Sequence, residues 1–210
     1  MNTFDQTGPG PRALQKAETV KAVLSAARNE FERVGFDAAN LRSIASSAGV
    51  SAGTVLHHFH DKRELLYAAL FEDLDATLTR ALRRPGPAPL QRQLIKLTRA
   101  VFRFYQARPG LSRTLLKESL FADGAWKLRF GEQTAGVHAQ VAKWIEAAQL
   151  RREIDPQVNI VLLAGAYLSF FYFALLGWAQ GAIKDPAPFV AQLLKQHLEG
   201  LESSPKKEAK

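Results

Sequence analysis

The stretch LRSIASSAGVSAGTVLHHFHDKRELL, residues 41–66, decides how the rest of the chain is read. It divides into two short apolar-patterned segments, LRSIASSA and AGTVLHHF, with Gly49 breaking the chain between them. Asn40 stands where it can cap the first and Ser51 where it can cap the second, because a short polar side chain accepts a bond from an otherwise orphaned helical N–H. Asp61 followed by Glu64 matches a capping box and opens a third segment, KRELLYAALFEDLDATLTRAL. Upstream, Val20, Leu24, Ala27, Phe31 and Val34 recur at spacings of four and three, the signature of a one-faced helix, and Gly35 occupies the position favoured for a left-handed cap. A supporting helix followed by two short helices and a tight turn is a helix-turn-helix. The expected small core is Leu41, Ile44, Ala45 and Ala48 from the first short helix, Val50, Val55 and Phe59 from the second, completed by Phe31, Leu65 and Leu66.

Three of the five histidines, His57, His58 and His60, fall inside this unit. Clustered imidazoles can bind a metal, carry a proton or touch a phosphate. A metal site needs three or four converging ligands, and the chain has no cysteine and no further histidine close in sequence. No metal and no cofactor are expected. The missing cysteines also remove disulfides, iron–sulfur clusters and cysteine nucleophiles, which fits a reducing interior. Groove geometry suggests other roles. Asn40 can present its amide to a phosphate, and Arg42, one turn in, can reach a phosphate or a base edge. Ser51, Ala52, Gly53 and Thr54 form the N-terminal turn of the second short helix, the end that enters the major groove. Small residues there permit close backbone approach, and Thr54 can bond phosphate or base. His57 lies one turn further on, where phosphate or base contact is the better reading, while His58 and His60 read as solvated or structural.

The same residues carry a family resemblance. The chain resembles TetR-family transcriptional regulators through an apolar-Arg-x-Ile-Ala segment, then Ala-Gly-Val-Ser, then Gly-Thr-apolar followed by an imidazole and Phe59, then Lys62 and Leu65. The upstream AARNEFERVGFDAANL fits the helix and glycine turn that precede that motif. The detailed match covers about residues 17–77; beyond it only an all-helical architecture agrees. The resemblance implies that Lys62 contacts phosphate, that the C-terminal domain holds a pocket for a small, often apolar molecule, and that its last two helices dimerise. Two positions depart from the pattern. Ala52 replaces a residue that is commonly basic or polar, and Leu56 replaces the usual tyrosine, so that contact at Leu56 is confined to apolar groups such as a thymine methyl.

The remainder reads as helical: roughly 89–107, 112–122, 125–151, 156–181 and 186–202, with Asp155-Pro156 and Asp185-Pro186 each resembling an N-cap and a first-turn proline. RPGPAPL, residues 84–90, reads as a linker. The expected organisation is all-α: a flexible tail at 1–16, a three-helix DNA-binding domain at 17–77, a larger effector-binding and dimerisation domain at 78–202, and a flexible tail at 203–210. The N-terminus lacks the basic start and apolar run of a secretory signal, and a cytoplasmic protein is expected.

Residues 156–183 contain no charged side chain, and such a run is long enough to cross a bilayer. A membrane-anchored protein using 158–183 is therefore the alternative. Asn159, Gln157 and Gln180, the lack of flanking basic clusters, and the small residues Gly165, Ala166 and Gly177 favour instead a helix buried between two copies of the chain, with a homodimer through 156–202 and no membrane contact.

The net charge of +8 suggests an anionic partner, yet residues 1–80 are net −1 and the surplus lies in 81–155. There Arg92, Lys96, Arg99 and Arg103 line one helix face. That stripe reads either as a solvated face or as a contact for an anionic effector or the DNA backbone. Aromatic residues concentrate in the C-terminal domain, and Phe102, Tyr105, Phe121, Trp126, Phe130, Tyr167 and Phe171 are the candidates to line the implied pocket. No phosphate-binding glycine loop, nucleophile elbow, zinc-protease motif or di-iron Glu-x-x-His pair occurs, so an enzyme is not expected. The expectation is a homodimeric repressor on a palindromic double-stranded DNA operator, released by an apolar or anionic small molecule.

Overall fold

The computed structural model describes residues 10–83 and 88–201. The described residues form helices α1 (Pro11–Ala38), α2 (Leu41–Ser47), α3 (Ala52–His58), α4 (Lys62–Leu82), α5 (Leu90–Ala107), α6 (Pro109–Leu120), α7 (Gly124–Leu150), α8 (Ile160–Ala179) and α9 (Pro186–Glu199), with no β-strand among them. Most of the proposed linker, residues 84–87, and the C-terminal tail beyond Leu201 lie outside the described residues. The N-terminal tail is shorter than expected: α1 starts at Pro11, whose fixed φ suits the first helical position, so 11–16 are helical.

Two compact units are present. Among the described residues, the first comprises 10–73 together with Gly110–Leu120; the second comprises 74–83, 88–109 and 121–201. The sequence pattern alone assigns 112–122 to the C-terminal domain. The structure places α6 in the N-terminal unit, where Leu111, Leu115 and Leu116 are buried. Tyr67 donates its hydroxyl to the Glu118 carbonyl at 3.0 Å, and Arg63 pairs with the Glu118 carboxylate at 2.8 Å. These are long-range side-chain contacts, for which periodicity carries no signal.

In the first unit, Phe31, Ile44, Ala45, Val55, Leu65 and Leu66 are almost fully buried, Phe59 nearly so, and Leu41, Ala48 and Val50 lie at the edge of the core. Arg28 ties α1 to α4 by donating to the Ala69 carbonyl at 2.6 Å and pairing with Asp73 at 3.0 Å. Gly35 has φ +80° and ψ 165°, a glycine-favoured region that breaks α1 before a last helical turn through Ala38.

In the second unit, α5 packs on α9 and α7, and α8 packs on α7 and α9. Val101, Val141, Ile145, Leu163, Val190 and Leu194 fill the interior. The start of α8 differs from the sequence reading. Asp155-Pro156 opens a turn, in which the Asp155 carboxylate accepts from the Gln157 N–H at 2.8 Å and its carbonyl from Val158 at 3.0 Å. The helix itself begins at Ile160, capped by Asn159, whose side chain accepts from Leu162 N–H at 3.1 Å. At α9 Pro186 does take the first position, although Asp185 makes no side-chain cap bond.

Helix α8 is long and apolar enough to span a membrane, with a mean hydropathy of 2.1, yet only 28% of its most apolar window is buried within the chain. The buried residues Leu163, Ala164, Tyr167, Phe171, Ala174, Leu175 and Trp178 form one stripe. On the other side Val161, Leu162, Phe173 and Leu176 are exposed. One face is therefore satisfied by its own unit and the other is apolar and uncovered.

Candidate nucleic-acid interface and effector region

The turn between α2 and α3 is built by one glycine. Gly49 has φ +69°, the left-handed conformation that L side chains resist, and no atom lies within 4 Å of where a Cβ would stand. Val50 N–H donates to the Ala45 carbonyl at 3.0 Å and Gly49 N–H to the Ser46 carbonyl at 3.2 Å. Those two bonds make a Schellman ending, which closes α2 and turns the chain directly into α3. Asn40 caps α2 by accepting from Ser43 N–H at 2.8 Å, and Ser51 caps α3 by accepting from Thr54 N–H at 3.0 Å.

The caps engage some of the candidate side chains. Asn40 Oδ1 is occupied by its cap, and the residue remains exposed beside exposed Arg42. Ser51 Oγ and Thr54 Oγ1 share a hydrogen bond of 2.9 Å, so the two hydroxyls form one local pair at the start of α3. Ala52 is partly exposed and Gly53 is open to solvent. Leu56, 47% exposed, and His57 project outward from α3. Ser51, Gly53, Leu56 and His57 therefore give α3 a solvent-facing side, opposite the fully buried Val55.

The three histidines have different surroundings. His57 and His58 meet edge to face with ring centroids 5.4 Å apart. His58 is partly buried, and its pKa is lowered, first by desolvation and then by the charges of His57 and Lys16. His60 turns away to Glu64, whose carboxylate accepts from the His60 N–H and contacts its Nδ1, both at 2.8 Å. The capping box at α4 is consequently shifted: Glu64 N–H donates to Asp61 at 2.7 Å as expected, while the Glu64 side chain reaches back to His60 rather than to Asp61. The same residue thus starts the helix and holds the histidine.

Lys62 carries the contact that sequence reasoning missed. Its ammonium donates to the carbonyls of Asp37 at 3.1 Å and Ala39 at 3.0 Å, and lies 4.7 Å from the centroid of the Phe36 ring. Two of its three donors thus hold the end of α1, where orphaned carbonyls attract a cation. The only advance signal was the glycine turn upstream, which leaves such carbonyls exposed.

The aromatic candidates of the second unit fall into separate groups. Phe102, Tyr105, Tyr167 and Phe171 are buried: Phe102 and Phe171 stack with centroids 4.8 Å apart, and Tyr167 shares a hydrogen bond of 3.1 Å with Thr98. Burial pushes both tyrosine hydroxyls well above their ordinary pKa. Trp126 and Phe130 pair along α7 at 5.8 Å, with Arg129 over the Trp126 ring at 4.4 Å. Phe121 departs from expectation. It lies in the short connection after α6 and is 86% exposed, because the chain leaves the helix there before any partner element covers it.

A helix-turn-helix held by two side-chain caps and a Schellman turn, with one exposed face on its second helix, defines a DNA-binding regulator class. The family profile described as "Bacterial regulatory proteins, tetR family" matches residues 23–69, the segment from α1 through the first turns of α4. The HTH-type transcriptional regulator RutR of Escherichia coli is 31% identical over 179 residues, covering 80% of this chain and 80% of that protein. The HTH-type transcriptional regulator UidR of Escherichia coli is 26% identical over 162 residues, covering 73% and 78%. A TetR transcription regulator from Haloarcula marismortui shares the fold, with a TM-score of 0.74 at 16% identity over 88% of this chain and 98% of that one. The chain belongs to the TetR family of helix-turn-helix transcriptional regulators.

Proposed function

We propose that the protein is a cytoplasmic, homodimeric repressor that binds a palindromic DNA operator through α3 and releases it when a small molecule occupies the second unit. The observation that carries this reading is the exposed side of α3, where Ser51, Gly53, Leu56 and His57 face solvent while Val55 and Phe59 anchor the helix from behind. Asn40, Arg42, Ala52, Thr54 and Lys62 complete the proposed contact set. Support for the dimer comes from the uncovered apolar stripe of α8 and its continuation to α9, where Phe173 and Phe189 rings lie 6.0 Å apart. Two such faces meeting would remove the apolar surface from water, which also accounts for α8 without a membrane. The buried cluster of Phe102, Tyr105, Tyr167 and Phe171 is the proposed place for an apolar effector, with Trp126 and Phe130 as further candidates. Effector binding would act as a population shift, favouring a dimer whose two α3 helices no longer match half-sites about 34 Å apart.

Selection of bound duplexes from a random pool tests the reading, with full-length protein at fixed salt. Enrichment of an inverted repeat is expected. Recovery of DNA indistinguishable from the input pool would refute sequence-specific binding.

A further inference from the structure

Helix α5 carries a second, differently built site. Its face bears Arg92, Lys96, Arg99 and Arg103, all exposed, and a groove of about 830 Å³ runs along it with Phe102 as floor and Ala187 of α9 on the opposite wall. At the rise of a helix the four cations extend over about 16 Å. Among the described residues none of the four forms an ion pair, and no carboxylate lines the groove. The carboxylate at this end of α5, Glu153, is taken by the Leu90 N–H and by Arg151. The sequence pattern alone left this stripe between a solvated face and a contact; a solvated face needs no concavity.

The geometry points to a binding site for a small molecule bearing several phosphate or carboxylate groups. A concave surface lined by one sign of charge concentrates counter-charged ligands, and the guanidinium forks of Arg92 and Arg99 suit the oxygen pairs of such groups, while Arg103, whose Nε donates to the Arg99 carbonyl at 3.2 Å, offers its terminal nitrogens. The groove volume falls within the roughly 300–1,000 Å³ of small-molecule sites. A single small anion would leave most of the stripe unpaired, so the ligand carries more than one charge. Contact with the floor would reach Phe102, whose ring stacks on Phe171 in the core, linking the groove to the interior of the same unit. The site goes beyond the repressor reading and does not require it.

The test uses the full-length protein, titrated calorimetrically with tripolyphosphate, citrate and orthophosphate, alongside the double variants Lys96→Gln/Arg99→Gln and Lys96→Glu/Arg99→Glu. Both pairs are surface residues, and far-ultraviolet circular dichroism checks that each variant folds. Saturable binding of tripolyphosphate or citrate is expected, weakened roughly tenfold or more in the Gln variant and further in the Glu variant. Raising salt from about 50 to about 200 mM should weaken it as well, and orthophosphate should bind far less tightly. The tripolyphosphate and citrate arms separate a phosphate from a carboxylate ligand. Absence of saturation, or equal binding by the Gln variant, would overturn the proposal. So would a Gln variant that loses affinity and salt slope for duplex DNA while polyanion binding is unchanged, since the stripe would then be a DNA contact. Failure of the operator selection would leave these titrations unaffected, so the two readings can fall separately.

Discussion

Replacing Lys62 by alanine separates two roles that meet in one side chain. The sequence resemblance assigns Lys62 to a phosphate, and the structure gives it two backbone carbonyls and an aromatic ring. Hydrogen bonds from a charged donor contribute about 1.5–3 kcal/mol each when shielded, and a cation over an exposed ring about 0.5–1 kcal/mol. The bond to Asp37 is exposed, so water replaces much of what is lost there, while the bond to Ala39 is partly buried; a net destabilisation of about 1–2 kcal/mol is expected for the end of α1 and the start of α2. All three tryptophans belong to the second unit, so intrinsic tryptophan fluorescence is blind to this change. Amide hydrogen exchange read by mass spectrometry is the suitable assay. Peptides covering residues 31–47 should exchange roughly five- to thirtyfold faster in the variant, while α8 and α9 stay unchanged. DNA affinity should fall for specific and non-specific duplexes alike. If Lys62 contacts phosphate, the slope of log affinity against log salt should shrink by about 0.9. Unchanged exchange together with a reduced salt slope would refute the carbonyl anchor and leave a plain phosphate lysine. Faster exchange with an unchanged slope would instead refute the phosphate role. Lys62→Arg should restore the charge but not the fit to both carbonyls, so it should recover more of the slope than of the protection.

Three further outcomes follow from single side chains. Gly35→Ala places a Cβ in open space at φ +80°, so the expected loss of about 1–2 kcal/mol, read from chemical denaturation of the first unit by exchange, is purely a backbone cost. Thr98→Val removes a fully buried hydroxyl bonded to the Leu94 carbonyl at 2.8 Å and to Tyr167 at 3.1 Å, and should lower the stability of the second unit by about 1–3 kcal/mol in urea. An unchanged midpoint would show the pair to be unimportant. His58 has a folded pKa below its ordinary value near 6.5, so the unfolded chain takes up its proton first. Its contribution is present above about pH 6.5 and is lost as the pH falls through the folded value; His58→Gln should flatten the acid side of the stability profile, and an identical profile would refute the assignment.

The helix-turn-helix was legible because its signals are local. Asn40, Ser51, Gly49 and Asp61 each act within three or four residues, and the alternation of apolar positions around Ile44 and Val55 states which side faces inward. The caps and turn appear in the structure where the sequence puts them. One local motif misleads. Asp155-Pro156 has the composition of a helix start, but its carboxylate closes a turn and Asn159 caps α8 instead.

What the chain determines by itself is therefore the helices in outline, and the caps, the turn and the inward-facing pattern of the DNA-binding unit, since each depends on neighbours a few residues away. Tertiary structure decided the rest, because the partners are distant in sequence. It placed α6 with the first unit through Tyr67, Arg63 and Glu118. It also turned Lys62 onto the carbonyls of Asp37 and Ala39, left Phe121 in solvent, and gave the basic face of α5 a wall from α9. A stripe of charge is written in the spacing of residues; the groove it lines exists only once a second helix is packed beside it.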